Sequence, residues 1–257
     1  NSLCGLGFGL MINGVSSIFF MKQLDFLLLG MDHLVNTFNI IRNHDELKNA
    51  SFTIFPIVVD NGFQGPQSSL NNLSDFCSMA RIEGYTITNK IDAEKIIKSK
   101  LVSPGFRIIA ISQRLFNEEI IDPKKLIYSN KENTVFQYSK GKNVTIVCFN
   151  FSFPQGMKLH KELEEEGIKS SLFNINSANS TNWDKVIEDA KCTGKLVVID
   201  DSKCKNFACD SLIVDILQKC NLDKKIILKR NMDQDWLNPV SDKFEINVDV
   251  ITRELII

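Results

Sequence analysis

The apolar residues of this chain fall into two patterns, short continuous runs and stretches spaced by three and four, which alternate from end to end. A continuous run predicts a strand covered on both faces, and a three-four spacing predicts an amphipathic helix. Positions 3–13 read as a helix and 15–21 as a strand. In 27–42 apolar residues stand at Leu27, Leu28, Met31, Leu34, Val35, Phe38 and Ile41, a three-four spacing. Asp32, Asn36 and Asn39 occupy the other face, so this stretch reads as one amphipathic helix. Strand 52–59, helix 70–80, strand 85–88, helix 93–101 and strand 106–112 follow.

Between 128 and 142 the sequence turns polar and reads as a linker. The alternation then restarts with strand 144–149, helix 155–166 closed by Gly167, strand 168–174 and helix 183–190. Strand 195–200, helix 209–220 and strand 225–228 complete it. The expected fold class is α/β: two consecutive three-layer α/β domains with mostly parallel sheets, at 1–128 and 143–257, joined by 129–142.

Composition narrows the partners. A chain of 257 residues with 44% hydrophobic content can bury such a core. Thirty bases against 31 acids leave a net charge of −1, which argues against a nucleic-acid or anionic-membrane surface. Positions 3–21 are strongly apolar but contain Gly5, Gly7, Gly9, Asn13 and Gly14, which fits a buried helix, turn and strand better than a membrane span. The 7 cysteines include no CxxC pair, and Cys148, Cys209 and Cys220 read as small core hydrophobes. A reducing cytoplasm or organellar matrix is the expected location. Five Asn-X-Ser/Thr sequons, at Asn49, Asn72, Asn143, Asn150 and Asn179, read as chance in an Asn- and Ser-rich chain.

Candidate chemistry lies where strands end in polar loops, the usual place for ligand sites in α/β proteins. The first is the corner Leu24-Asp-Phe-Leu, which places Phe26 before the long helix; the second is the loop Gly62-Phe-Gln-Gly-Pro-Gln-Ser-Ser69. Gln67 and Ser68 can hydrogen-bond a substrate oxygen, but neither shuttles a proton near neutral pH as imidazole does. Of the 3 histidines, His33 lies inside the predicted helix and His160 between Lys158 and Lys161, so both read as structural or solvated.

Taken together, 17–36, 52–60 and 61–69 resemble the pyrimidine-binding domain of thiamine-diphosphate enzymes. They are most similar to the beta subunit of 2-oxo acid dehydrogenase decarboxylase components, and next to the second half of transketolase. The second unit resembles the transketolase C-terminal domain through Lys142-Asn-Val-Thr-Ile-Val-Cys, Leu163-Glu-Glu-Glu-Gly-Ile-Lys, Lys191-Cys-Thr-Gly-Lys-Leu-Val-Val-Ile-Asp and Phe207-Ala-Cys-Asp-Ser-Leu-Ile.

The resemblance implies that Phe26 stacks on the pyrimidine ring of thiamine diphosphate. It also implies that Gln67 and Ser68 stand in the loop where the family presents a histidine. The family's cofactor-activating glutamate would lie upstream of the matched region; no Glu precedes Glu46, and its absence from the segment given is the expected reason. No Gly-Asp-Gly motif occurs, so the diphosphate and its Mg²⁺ would be held by an alpha-type partner subunit. Self-association to a dimer and a lipoyl-bearing acyltransferase complete the implied partners. The implied reaction is decarboxylation of a 2-oxo acid with acyl transfer to a lipoyl group. The alternatives are transketolase-like transfer of a two-carbon ketol unit and a non-catalytic partner that keeps fold and interface.

Overall fold

The computed structural model describes residues 1–60, 70–116, 121–179, 181–204, 207–230 and 244–256. The first unit opens with helix α1 (Ser2–Ile12) and strand β1 (Ser17–Met21). A helical stretch ending in α2 (Phe38–Ile41) leads to β2 (Ser51–Val58), α3 (Leu73–Ala80), β3 (Glu83–Ile87), α4 (Lys90–Lys100) and β4 (Gly105–Ser112). Its sheet has the order β1-β2-β4-β3, and every pairing is parallel. β2 is buried at nearly every position, as its unbroken apolar run requires.

The second unit contains β5 (Tyr128–Ser129), β6 (Val135–Ser139), β7 (Val144–Phe149), α5 (Phe153–Glu165) and β8 (Ser170–Ile175). It continues with α6 (Asp184–Thr193), β9 (Lys195–Asp200), α7 (Cys209–Lys219), β10 (Lys224–Lys229) and α8 (Val248–Ile256). The sheet order is β10-β9-β7-β8-β6-β5, with β7 to β10 parallel and β6 and β5 antiparallel. The fold class is thus the expected one, two α/β units with mostly parallel sheets.

Two local expectations need correction. Stretch 129–142 is no bare linker: it holds β6, whose Val135 and Phe136 are fully buried. Stretch 27–42 is helical but not one regular α-helix. It runs as a 3₁₀ segment (Leu24–Gly30), a π turn (His33–Thr37) and then α2. Leu24, Leu27 and Gly30 are buried at the three-residue repeat of a 3₁₀ helix, whereas Leu28 and Leu29 point outward. Gly30 is required there because a Cβ would stand 2.6 Å from Cys4 Sγ. α8, which the strand-helix alternation did not reach, covers α5 with Val248, Ile251 and Leu255.

α1 is apolar all round, and Gly7 lets it settle on β2: a Cβ there would meet the Phe52 ring at 2.3 Å. Phe8, Phe38, Phe52 and Phe106 form the aromatic centre of this core. A further buried cluster runs continuously from Phe55, Ile87, Ile96 and Ile109 of the first unit to Phe136, Leu159 and Leu172 of the second. Backbone bonds reinforce the joint, from Thr86 N to Asn176 O (3.0 Å) and from Ala178 N to Gly84 O (2.9 Å). Among the described residues no helix is long and apolar enough to cross a membrane. Cys148 and Cys209 are buried and Cys220 is half-buried. Asn72 and Asn150 are buried and hydrogen-bonded, so neither sequon is open to a glycan.

Candidate functional site

Two regions at the C-terminal ends of the strands carry the candidate chemistry. The first is the corner after β1. The 3₁₀ segment holds Leu24 and Leu27 inward and turns Phe26 to the surface, where it is 44% exposed. Its N–H donates to Gln23 O at 3.3 Å. Phe26 belongs to none of the buried clusters. Phe20, Leu28, Leu29 and Ile40 are also exposed apolar residues of this part of the chain. Gln67 and Ser68 lie outside the described residues, and so does the remainder of 61–69.

The second region is the seam where strand ends of the two units meet. Asp60, just past β2, is fully enclosed at its side chain. Its Oδ2 accepts from Ser112 Oγ (2.6 Å) and Arg114 Nε (2.8 Å), at the end of β4. Arg114 Nη2 lies 2.7 Å from the same oxygen and also donates to Phe151 O at 2.6 Å, past β7. Asp201, past β9, accepts at Oδ1 from Asn150 Nδ2 (2.9 Å) and Phe151 N (2.9 Å), with Oδ2 3.8 Å from Arg114 Nη2. Burial pushes the Asp201 carboxyl up to about 6, against the lowering effect of Arg114. Asn71 is held in the same place, donating to Asp201 O at 3.0 Å and accepting from Asn150 Nδ2 at 2.8 Å.

A second buried carboxylate closes the other side of the seam. Asp92 Oδ2 accepts from Thr88 Oγ1 (2.7 Å), Asn89 Nδ2 (3.0 Å), Asn174 Nδ2 (3.2 Å) and Asn176 Nδ2 (2.7 Å). Burial raises it to about 6, and its hydrogen bonds pull the other way. Thr88, Ser112, Arg114, Leu115, Ile121, Phe151 and Pro154 line a cavity of about 30 Å³, room for about two waters.

The histidines are engaged elsewhere. His33 Nδ1 pairs with Thr37 Oγ1 at 2.9 Å and its ring lies against Gly5. His160 Nδ1 meets Ser170 Oγ at 2.6 Å, and burial lowers its pKa. Asp60, Asn71, Arg114 and Asp201 were not singled out from sequence, and Asn150 was named only as a chance sequon. Their signal was available only in part, since Asp60 and Asp200-Asp201 end apolar runs where strand-end loops begin.

No family model matches the chain. In sequence it is similar to the pyruvate dehydrogenase E1 component subunit beta of Rhizobium meliloti (strain 1021), 21% identical over 218 residues, covering 78% of this chain and 44% of that protein. It is also 22% identical over 209 residues to the mitochondrial E1 subunit beta of Dictyostelium discoideum, covering 77% of this chain and 56% of that protein. Against the mitochondrial E1 subunit beta-1 of Arabidopsis thaliana, identity is 19% over 230 residues, 84% of this chain and 60% of that protein. The chain thus spans about half the length of these relatives. In structure it is similar to a split-gene transketolase described as an inactive β4 tetramer, with TM-score 0.65 and 14% identity over 99% of this chain and 79% of that one. A transketolase from Campylobacter jejuni subsp. jejuni aligns with TM-score 0.51 and 10% identity over 70% of this chain and 27% of that one. These structures show a transketolase-like fold.

Proposed function

We propose that the chain is a beta-type subunit of a thiamine-diphosphate-dependent enzyme that decarboxylates a 2-oxo acid and passes the acyl group to a lipoyl acceptor. The similarity to E1 beta subunits across 78% of the chain carries this reading. The position of Phe26 supports it, since a half-exposed aromatic ring at the end of a parallel strand fits a stacking role.

When bound, thiamine diphosphate supplies the nucleophilic carbon and the electron sink that decarboxylation needs. Phe26 holds the pyrimidine by its face and leaves its hydrogen-bonding edge free. Gln67 and Ser68 donate hydrogen bonds to a substrate oxygen, orienting it without transferring a proton at neutral pH. Among the described residues no group of three or more His, Cys, Asp or Glu is placed to hold a metal ion, and this reading gives Mg²⁺ and the diphosphate to an alpha-type partner. Leu3 and Leu6 of α1, with Leu28, Leu29 and Ile40, are apolar and more than half exposed, which supports self-association and subunit contact. A lipoyl-bearing acyltransferase is the further partner, in the cytoplasm or an organellar matrix.

The split-gene transketolase, matched over 99% of this chain, favours a second reading, ketol transfer by a C-terminal transketolase subunit. Reconstitution with an alpha-type partner decides between them. Thiamine-dependent 2-oxo acid decarboxylation with reduction of a lipoyl domain supports the first reading, and ketol transfer between sugar phosphates the second. Assembly with neither activity identifies a non-catalytic partner.

A further inference from the structure

The stretch that carries Phe26 changes its winding twice. Its buried line advances by three residues through Leu24, Leu27 and Gly30, and then by four through Leu34 and Phe38. A 3₁₀ segment turns about 20° more per residue than an α-helix, which carries Phe26 off the buried line and outward. Left uncorrected, that overwinding would turn Leu34 and Phe38 out of the core as well. The wider π turn takes it back: Phe38 N donates to His33 O, five residues earlier, and both apolar residues stay buried.

His33 sits at the change. Its ring lies against Gly5 of α1, where a Cβ would stand 3.1 Å away, and its Nδ1 pairs with Thr37 Oγ1 at 2.9 Å. One residue earlier in α1, Cys4 packs on Gly30, the last residue of the 3₁₀ segment. Adjacent residues of α1 thus clasp the end of the 3₁₀ segment and the start of the π turn. Single π turns are rare and recur at functional sites, and this one directly follows the segment that presents Phe26.

We infer that His33 is a positioning residue for Phe26: held between Gly5 and Thr37, it maintains the π turn that lets the preceding 3₁₀ segment present the Phe26 ring outward. Its meaning for the cofactor rests on the stacking role given to Phe26 above. The conformational part does not, because every contact is made within the first unit of this chain. The imidazole acts here through its shape and one hydrogen bond, without transferring a proton.

Two measurements test it, the first on the full chain without cofactor or partner. In His33→Ala the aromatic NMR signals of Phe26, assigned by their loss in Phe26→Leu, should move, and exchange of the Phe38 N–H should rise about tenfold. Thr37→Val, which keeps the size of the side chain and removes the bond to His33, should act in the same direction. His33→Gln, which can again bond Thr37, should restore much of the native spectrum. Native Phe26 signals in folded His33→Ala and Thr37→Val overturn the inference, and so does a change spread evenly over the first unit, which would assign His33 to general stability. The second measurement uses the enzyme assembled with an alpha-type partner: His33→Ala should raise the KM for thiamine diphosphate about tenfold with kcat little changed, and His33→Gln should recover it. An unchanged KM in an active enzyme whose Phe26 signals have moved overturns the stacking role of Phe26 and leaves His33 as the holder of the turn. Absence of thiamine-dependent turnover in the native assembly overturns the functional reading and leaves the spectroscopic result standing.

Discussion

Asn176 donates its side-chain amide to Asp92 Oδ2 at 2.7 Å, joining residues 84 positions apart and linking the two α/β units through a carboxylate with no solvent access. Asn174 adds a second donor from the same strand end. Among the described residues its hydrogen-bond donors are neutral, and Thr88 and Asn89 supply both backbone and side-chain donors.

This sets a pH dependence with a definite sign. The folded-state pKa of Asp92 is raised to about 6, so the folded chain takes up a proton more readily than the unfolded one. The group therefore opposes folding above pH 6, and that opposition is relieved as the pH falls from 6 toward the unfolded carboxylate value, by on the order of 3 kcal/mol over the full range. Urea unfolding at pH 7, 6 and 5 should show the native chain gaining stability relative to Asp92→Asn on acidification. A stability difference that stays constant over this range would refute the assignment.

Phe26→Ala should separate ligand binding from folding. The ring is 44% exposed and outside the core, so the melting temperature of the chain should hardly move. Thiamine-diphosphate affinity in the assembled enzyme should weaken by about 1–3 kcal/mol if the ring stacks. Retained affinity with a lowered melting temperature would place Phe26 in the fold instead.

Gly7→Ala tests the contact between α1 and β2 through a reversal of sign. Helix propensity alone favours Ala over Gly by about 1 kcal/mol. The added Cβ would meet the Phe52 ring at 2.3 Å, and overpacking of this kind costs about 1–3 kcal/mol. The variant should therefore unfold at lower denaturant than the native chain; a stabilised variant would mean that the helix can move away at little cost.

The isolated chain should not bind thiamine diphosphate measurably, because the proposed function gives it a stacking surface and gives the diphosphate to the partner. A micromolar site found by calorimetry on this chain alone would contradict this.

Leu29→Glu should disrupt self-association. Leu29 is 69% exposed beside Leu28, an apolar patch of the kind that marks subunit contacts. Light scattering should give an oligomer for the native chain and a smaller species for the variant. A native chain that is already monomeric at micromolar concentration excludes the proposed assembly.

Sequence reading succeeded where burial is simple. The unbroken apolar runs of β2, β7 and β9 announced strands covered on both faces, and the strands came out within a residue or two of their expected bounds. It was less successful at 24–41, where an α-helical spacing placed Leu28 in the core, whereas a 3₁₀ segment leaves it out. The reason is a contact with α1: Gly30 has to lie against Cys4, and no periodicity within one segment contains that constraint. Stretch 129–142 shows the same limit, since polar turn residues hid a short buried strand that only an existing sheet edge could recruit.

The sequence by itself determined the alternation of strands and helices, the two-unit α/β plan and the aromatic at the first strand end, because each depends on neighbours within one element. Only the tertiary structure decided which strand ends face one another. Asp60, Asn71, Arg114 and Asp201 are ordinary polar residues far apart in the chain, and their common role exists only once two separate sheets bring their C-terminal edges within hydrogen-bond distance.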